Sequence, residues 1–187
     1  FKINEYVVIP LPRMGEYCDG IERINIELSA QNKIELCDRL AEFLQGELPL
    51  DAGDAEIGRT VLIGDHRQNA LDQIAAVRRR WQWLLDNLDL PLAEAESQFA
   101  AYGIADGELT NRAAKPRLVH RLQDYAIRVS WKEELRPLLK RSVDGAVFAP
   151  VLARIQEIHK EVLRGRVFVA LHMHAGAHPG VHAFRRR

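Results

Sequence analysis

Four of the seven histidines, His172, His174, His178 and His182, fall within eleven residues near the C-terminus. They follow Val167-Phe168-Val169-Ala170-Leu171, a run whose composition suits a short buried strand. In a strand, alternate residues share a face, so His172 and His174 point the same way. Two imidazoles on one face suit a divalent metal such as zinc, if the glycine-containing turn Gly176–Gly180 brings back a third ligand. A polar tail that holds no ligand is the competing reading of the same residues.

Other candidates point to bland roles. Cys18 and Cys37 are the only cysteines, too few and too far apart for a zinc or iron–sulfur site of their own. Cys37 falls on the apolar face of an expected helix, where a buried free thiol is the ordinary outcome. A disulfide between the two is open but not indicated, and a reduced, cytoplasmic protein is the expectation from that cysteine usage. Residues 112–141 hold nine Lys or Arg (Arg112, Lys115, Arg117, Arg121, Arg128, Lys132, Arg136, Lys140, Arg141) against Asp124, Glu133 and Glu134. Such a bias draws an anionic ligand or an acidic partner, but more often marks a solvated helix face. Trp81 fits a core stripe. Trp83, two positions on, cannot share that stripe and is expected at an interface. His66, His120 and His159 are isolated and expected to be structural or surface residues. Arg185–Arg187 has no aromatic platform beside it and argues poorly for nucleic acid.

The elements that would position the histidines are mostly helices. With 187 residues the chain suits one domain with a sizeable core. A net charge of zero gives no reason to expect nucleic acid or an anionic membrane. No apolar run approaches membrane-spanning length, and Phe1-Lys2-Ile3-Asn4-Glu5 does not resemble a signal peptide. The missing initiator Met makes residue 1 an expected internal position of a longer protein. Tyr6–Ile9 reads as a short strand and Pro10–Pro12 as a stiffened connection. Asp19-Gly20 could cap a helix through Ile21 and Ile24, although Ile24, Ile26 and Leu28 alternate as a strand would. From Ser29, Leu36, Leu40, Phe43 and Leu44 recur at helical spacing, and Gly46 and Pro49 stop the run. Asp51–Gly58 reads as a loop. Leu71, Ile74, Trp81, Leu85 and Leu88 form the stripe of a long helix. Pro91 opens another through Phe99 and Tyr102, and Ala101–Ala114 is a loop. Lys115–Leu139 is helical in character, broken near Pro137. Phe148, Val151, Leu152, Ile155, Ile158 and Val162 make the clearest amphipathic helix.

The segment Val167–Gly176, ending Leu171-His172-Met173-His174-Ala175-Gly176, resembles the approach to the His-x-Gly-Asp-Gly-Asn-x-His motif of FAD-linked oxidases of the D-lactate, glycolate and D-2-hydroxyglutarate dehydrogenase type. Val7-Val8-Ile9-Pro10-Leu11-Pro12-Arg13 resembles that family's connection from the flavin-binding domain into its C-terminal cap. Ser130-Trp131-Lys132-Glu133-Glu134 is more loosely similar to a Trp-containing helix start in the cap. The resemblance implies that His174 is the motif's first histidine, acting in catalysis, substrate binding and metal binding. It implies that His172 lies beside the substrate, and that His182 is the second metal-binding histidine. After Gly176 the chain departs from the motif: Ala177-His178-Pro179-Gly180 stands where Asp-Gly-Asn is expected, and His182 falls one position late. The family's downstream Glu ligand has no counterpart, and no glycine-rich strand-to-helix turn is present to hold a pyrophosphate.

The helical pattern and the resemblance together imply an α+β fold: a predominantly helical, partial cap domain with long helices and a small sheet. The resemblance implies that residues 1–18 are the connection from a flavin-binding domain and 19–176 the cap, leaving 177–187 as an atypical tail. The resemblance implies an FAD-dependent 2-hydroxy-acid dehydrogenase as the parent protein, with FAD held elsewhere in the polypeptide. It also implies a small 2-hydroxy acid as substrate, and is compatible with an iron–sulfur electron acceptor. No nucleic acid and no transmembrane segment are expected. The alternatives are a non-catalytic helical interaction module with a His-rich tail, and a small metal-binding protein using His172, His174, His178 and His182.

Overall fold

The computed structural model describes residues 2–7, 9–51, 59–107, 114–164, 166 and 168–173. Helices build it: α1 (Met14–Gln45), α2 (Arg59–Asp86), α3 (Leu92–Tyr102), α4 (Leu118–Gln123), α5 (Arg136–Ser142) and α6 (Ala149–Leu163). Short 3-10 turns at Leu11–Arg13 and Ala146–Phe148 and a π-helical turn at Trp131–Leu135 join them.

Proline sets several starts, because its fixed φ suits the first helical turn and its missing N–H costs nothing there. Pro12 lies within the turn before α1, Pro137 in the first turn of α5, and Pro150 in the first turn of α6. α1 then runs unbroken for 32 residues, about 48 Å at helical rise. It passes through Asp19-Gly20 and through Ile24, Ile26 and Leu28, so neither a cap at Asp19 nor a strand at 24–28 is formed. The alternation of three residues is too short to outweigh helical neighbours on both sides.

α1 and α2 form an antiparallel hairpin. Arg67 Nη2 donates to the Gly46 carbonyl at 3.0 Å, Arg78 pairs with Asp38 at 2.6 Å, and Arg23 Nη2 donates to Asp89 at 2.8 Å, so α2 advances as α1 recedes. The seam is Ala30, Ile34, Cys37, Leu40 and Leu44 against Ala70, Ile74, Val77, Trp81, Leu84 and Leu88, all buried. Burial of each large side chain in such a seam contributes about 1.5–3 kcal/mol. Leu71 and Leu85 only flank it, while Ala70, Val77 and Leu84, absent from the expected stripe, lie inside. α6 packs on α1 through Val151, Ile155, Ile158 and Val162, spaced at four, three and four residues.

The expectation of an α+β cap built round a small sheet is corrected: the fold is helical. Among the described residues the core cluster runs from Ile34 to Val162 and is drawn from helices and their connections. Its helix stripes close on one another, so no sheet layer is needed to cover them. The extended ends Lys2–Val7 (β1) and Phe168–Met173 (β2) run side by side in parallel register, Lys2 opposite Phe168 and Val7 opposite Met173. β2 lies against α1, but two strands alone are marginally stable and do not make a sheet layer for the fold.

Lys115–Leu139 is also not one helix. α4 ends after six residues, the chain turns at Tyr125, extends through Ser130, and re-enters helix by the π turn. Arg117 N–H donates to His120 Nδ1 at 3.1 Å at the start of α4. Leu92 and Leu118 exchange backbone bonds with Pro116 and Leu90 at 2.7 and 3.0 Å, tying the α2–α3 connection to that start.

Candidate functional site

Of the histidines expected to carry chemistry, only His172 lies in the described chain, on β2 opposite Tyr6. His174, His178 and His182 lie outside the described residues. Among the described residues no three His, Cys, Asp or Glu side chains come close enough to share a metal ion. The described residues therefore bring together no zinc ligand set, and no pair of the expected site residues can be measured against another.

The isolated histidines have structural partners. His66 Nδ1 lies 2.8 Å from the Ser142 carbonyl, and its ring packs 4.8 Å from Phe148. His159 stacks on Trp131 at 4.7 Å and 15°. Burial holds its pKa below the ordinary value, with the Arg136 and Lys160 charges adding to the effect. Burial likewise pushes the Cys37 thiol up to about 12, with the Asp38 charge contributing, so it is an inert core thiol. Trp83, expected at an interface, stacks on Tyr102 at 5.0 Å and meets Phe99 edge-on at 6.4 Å.

Much of the basic stretch 112–141 is paired internally. Lys115 meets Asp124 at 2.6 Å, Arg117 meets Asp89 at 3.5 Å, and Arg128 meets Glu133 at 2.8 Å. Arg121 is fully buried, with Nε donating to Asp106 at 3.1 Å and Nη2 to Asp106 and to the Gly107 carbonyl.

Lys33 is not singled out in the sequence. It lines a cleft of about 670 Å³ between α1 and the 122–130 segment, with apolar walls from Ile26, Leu122, Ile127 and Val129. Its Nζ donates to Ser29 Oγ at 2.5 Å. Burial lowers its pKa from the ordinary value, and the Glu134 charge only partly opposes this. Glu134 itself accepts from Trp81 Nε1 at 2.9 Å and from the Ser130 N–H at 2.8 Å, and forms an ion pair with Arg80 at 3.0 Å.

Local backbone chemistry shapes the cleft. At the end of α4 the Ala126 N–H reaches the Arg121 carbonyl at 2.9 Å and the Tyr125 N–H reaches Leu122 at 3.2 Å. These two bonds form the Schellman pattern, which needs a left-handed residue at Tyr125. Tyr125 takes φ +58 there and is 74% exposed at the cleft rim. On the far side, the π turn places Glu134 beneath Ser130, and π-helical turns recur at functional sites. Ser29 and Lys33 form an ordinary i,i+4 pair in sequence. The rest of the cleft beyond α1 comes from residues 122–133, some ninety positions or more away along the chain, so no local signal marked the site.

Among the described residues no helix is long and apolar enough to cross a membrane. No family model, no curated protein and no solved structure matches the chain.

Proposed function

We propose that the chain is the substrate-domain part of an FAD-dependent 2-hydroxy-acid dehydrogenase, a cytoplasmic enzyme whose flavin is held by another domain of the same polypeptide. The support is the resemblance carried by Val167–Gly176 and Val7–Arg13. One observation brings the two segments' ends near each other: β1 and β2 pair in parallel, and Val7, the first residue of one segment, lies opposite Met173 of the other, with Tyr6 just before it opposite His172. In this reading FAD supplies the hydride acceptor. His174 takes the substrate's hydroxyl proton, a role suited to an imidazole that titrates near neutral pH, and His172 holds the carboxylate. Where a divalent metal such as zinc sits on His174 and His182, His174 would be a ligand rather than the base and the metal would polarise the substrate oxygen; an iron–sulfur electron acceptor belongs to the same reading.

The test joins this segment to the coding sequence on either side and follows reduction of the bound flavin by D-2-hydroxy acids. D-Lactate or a relative should bleach the flavin, and His174→Ala should slow that step by about 10²–10⁴-fold. A flanking sequence without a flavin-binding domain, or a flavin that no 2-hydroxy acid reduces, would overturn the proposal. The second reading, a non-catalytic helical interaction module, is favoured by a described core made from helices and their connections alone. It predicts that neither flavin nor hydroxy-acid turnover accompanies the full-length protein.

A further inference from the structure

We infer that the cleft between α1 and the 122–130 segment binds an amphipathic monocarboxylate, its carboxylate on Lys33 and its hydrocarbon chain on Ile26, Leu122, Ile127 and Val129. An ammonium group carries three donors. Ser29 Oγ accepts one, and among the described residues no carboxylate lies within ion-pairing distance of Nζ. A half-buried cation left this way is costly unless an anion completes it.

The other charges of the cleft set the ligand's charge. Arg128 is already committed, donating to Glu133 at 2.8 Å and to the Tyr125 carbonyl at 3.3 Å. Glu22, on the lining, adds a negative charge. With Arg128 and Glu133 cancelling each other, Lys33 and Glu22 are left, and the lining carries no net charge. Lys33 stabilises a monoanion placed on its ammonium, whereas the second charge of a phosphate dianion or a polyanion has no cation to meet it and faces Glu22. The apolar wall gives a hydrocarbon chain somewhere to go, and about 670 Å³ falls in the ordinary range for small-molecule sites. None of His172, His174 and His182 takes part, so the inference stands or falls apart from the dehydrogenase reading.

Calorimetric titration of the chain with acetate, butyrate, hexanoate and octanoate at neutral pH tests the assignment. Affinity should rise about fourfold per added methylene until the wall is filled. Lys33→Met should weaken octanoate binding by about tenfold or more, to the level of the uncharged octanol. Ile26→Trp, which fills the wall and keeps the amine, should block octanoate while sparing the fold. If Lys33→Met does not fold, the octanoate-to-octanol ratio on the unaltered chain and the Ile26→Trp result decide. Affinities that do not change along the series would overturn the inference. So would octanol matching octanoate, Ile26→Trp binding undiminished, or inorganic phosphate displacing octanoate at equal concentration.

Discussion

Arg121 carries its charge at a position with no solvent exposure, which is tolerable only because Asp106 and the Gly107 carbonyl meet the guanidinium there. Breaking such a pair from one side leaves a buried charge without compensation, a loss of about 3–5 kcal/mol. Asp106→Ala should therefore lower the unfolding free energy in denaturant by that order. Adding Arg121→Met to it should restore much of the loss, and a double variant as weak as Asp106→Ala would show that the pair is not what matters. The sequence hid this residue because Arg121 stands in a basic stretch that reads as a solvated face; its burial depends on Asp106, fifteen positions earlier. His159 gives a second residue-scale expectation. Its folded-state pKa is lowered below 6.5 by burial and by Arg136 and Lys160, so the folded state resists protonation. The unfolded chain then binds more protons, and stability rises with pH through this window. The contribution is fully present above about 6.5 and is lost as pH falls from there toward the lowered value. Thermal unfolding of His159→Phe, which keeps a ring against Trp131, should show a shallower loss of Tm between neutral and mildly acid pH. An unchanged slope would remove His159 from the account.

At the scale of elements, the segments with strong apolar period were legible: the second half of α1, α2, α3 and α6 each follow from their stripes and from Gly46, Pro91 and Gly103 at the ends. Two others were not. The first half of α1, Met14–Ser29, buries no residue completely and leaves Ile24 42% exposed, so it carries no clean stripe to read. The 115–139 stretch has helical composition, yet the Schellman turn after α4 interrupts it at a tyrosine, a residue type that does not announce a left-handed position. That choice carries a cost. A non-glycine side chain in the left-handed region is disfavoured by roughly 1–2 kcal/mol, least for Asn and most for β-branched residues. Tyr125 is largely exposed, so substitution there loses little packing. Tyr125→Asn should gain about 0.5 kcal/mol and Tyr125→Val should lose about 1 kcal/mol or more, read from urea unfolding midpoints. Equal midpoints for the two would mean that the turn does not hold φ +58 in solution.

For the whole molecule, the open question is what the ends contribute. The α+β expectation made a sheet part of the domain's frame, whereas the described core closes between helices from Ile34 to Val162. A parallel pair needs a long crossover between its strands, and here the whole helical body is that crossover. The bundle is therefore what spans the two ends, with β2 lying against α1. A chain cut to residues 9–166 should then keep its helical far-UV signal and unfold in one cooperative transition, because one continuous cluster joins α1, α2, α5 and α6. Its Tm should fall by only a few degrees, since about 1 kcal/mol corresponds to a few degrees at this size. Loss of the transition in the cut chain would mean that β1 and β2 hold the helices in place. In that case the paired strands would be part of the frame, and His172 on β2 would have to be weighed first as part of that support.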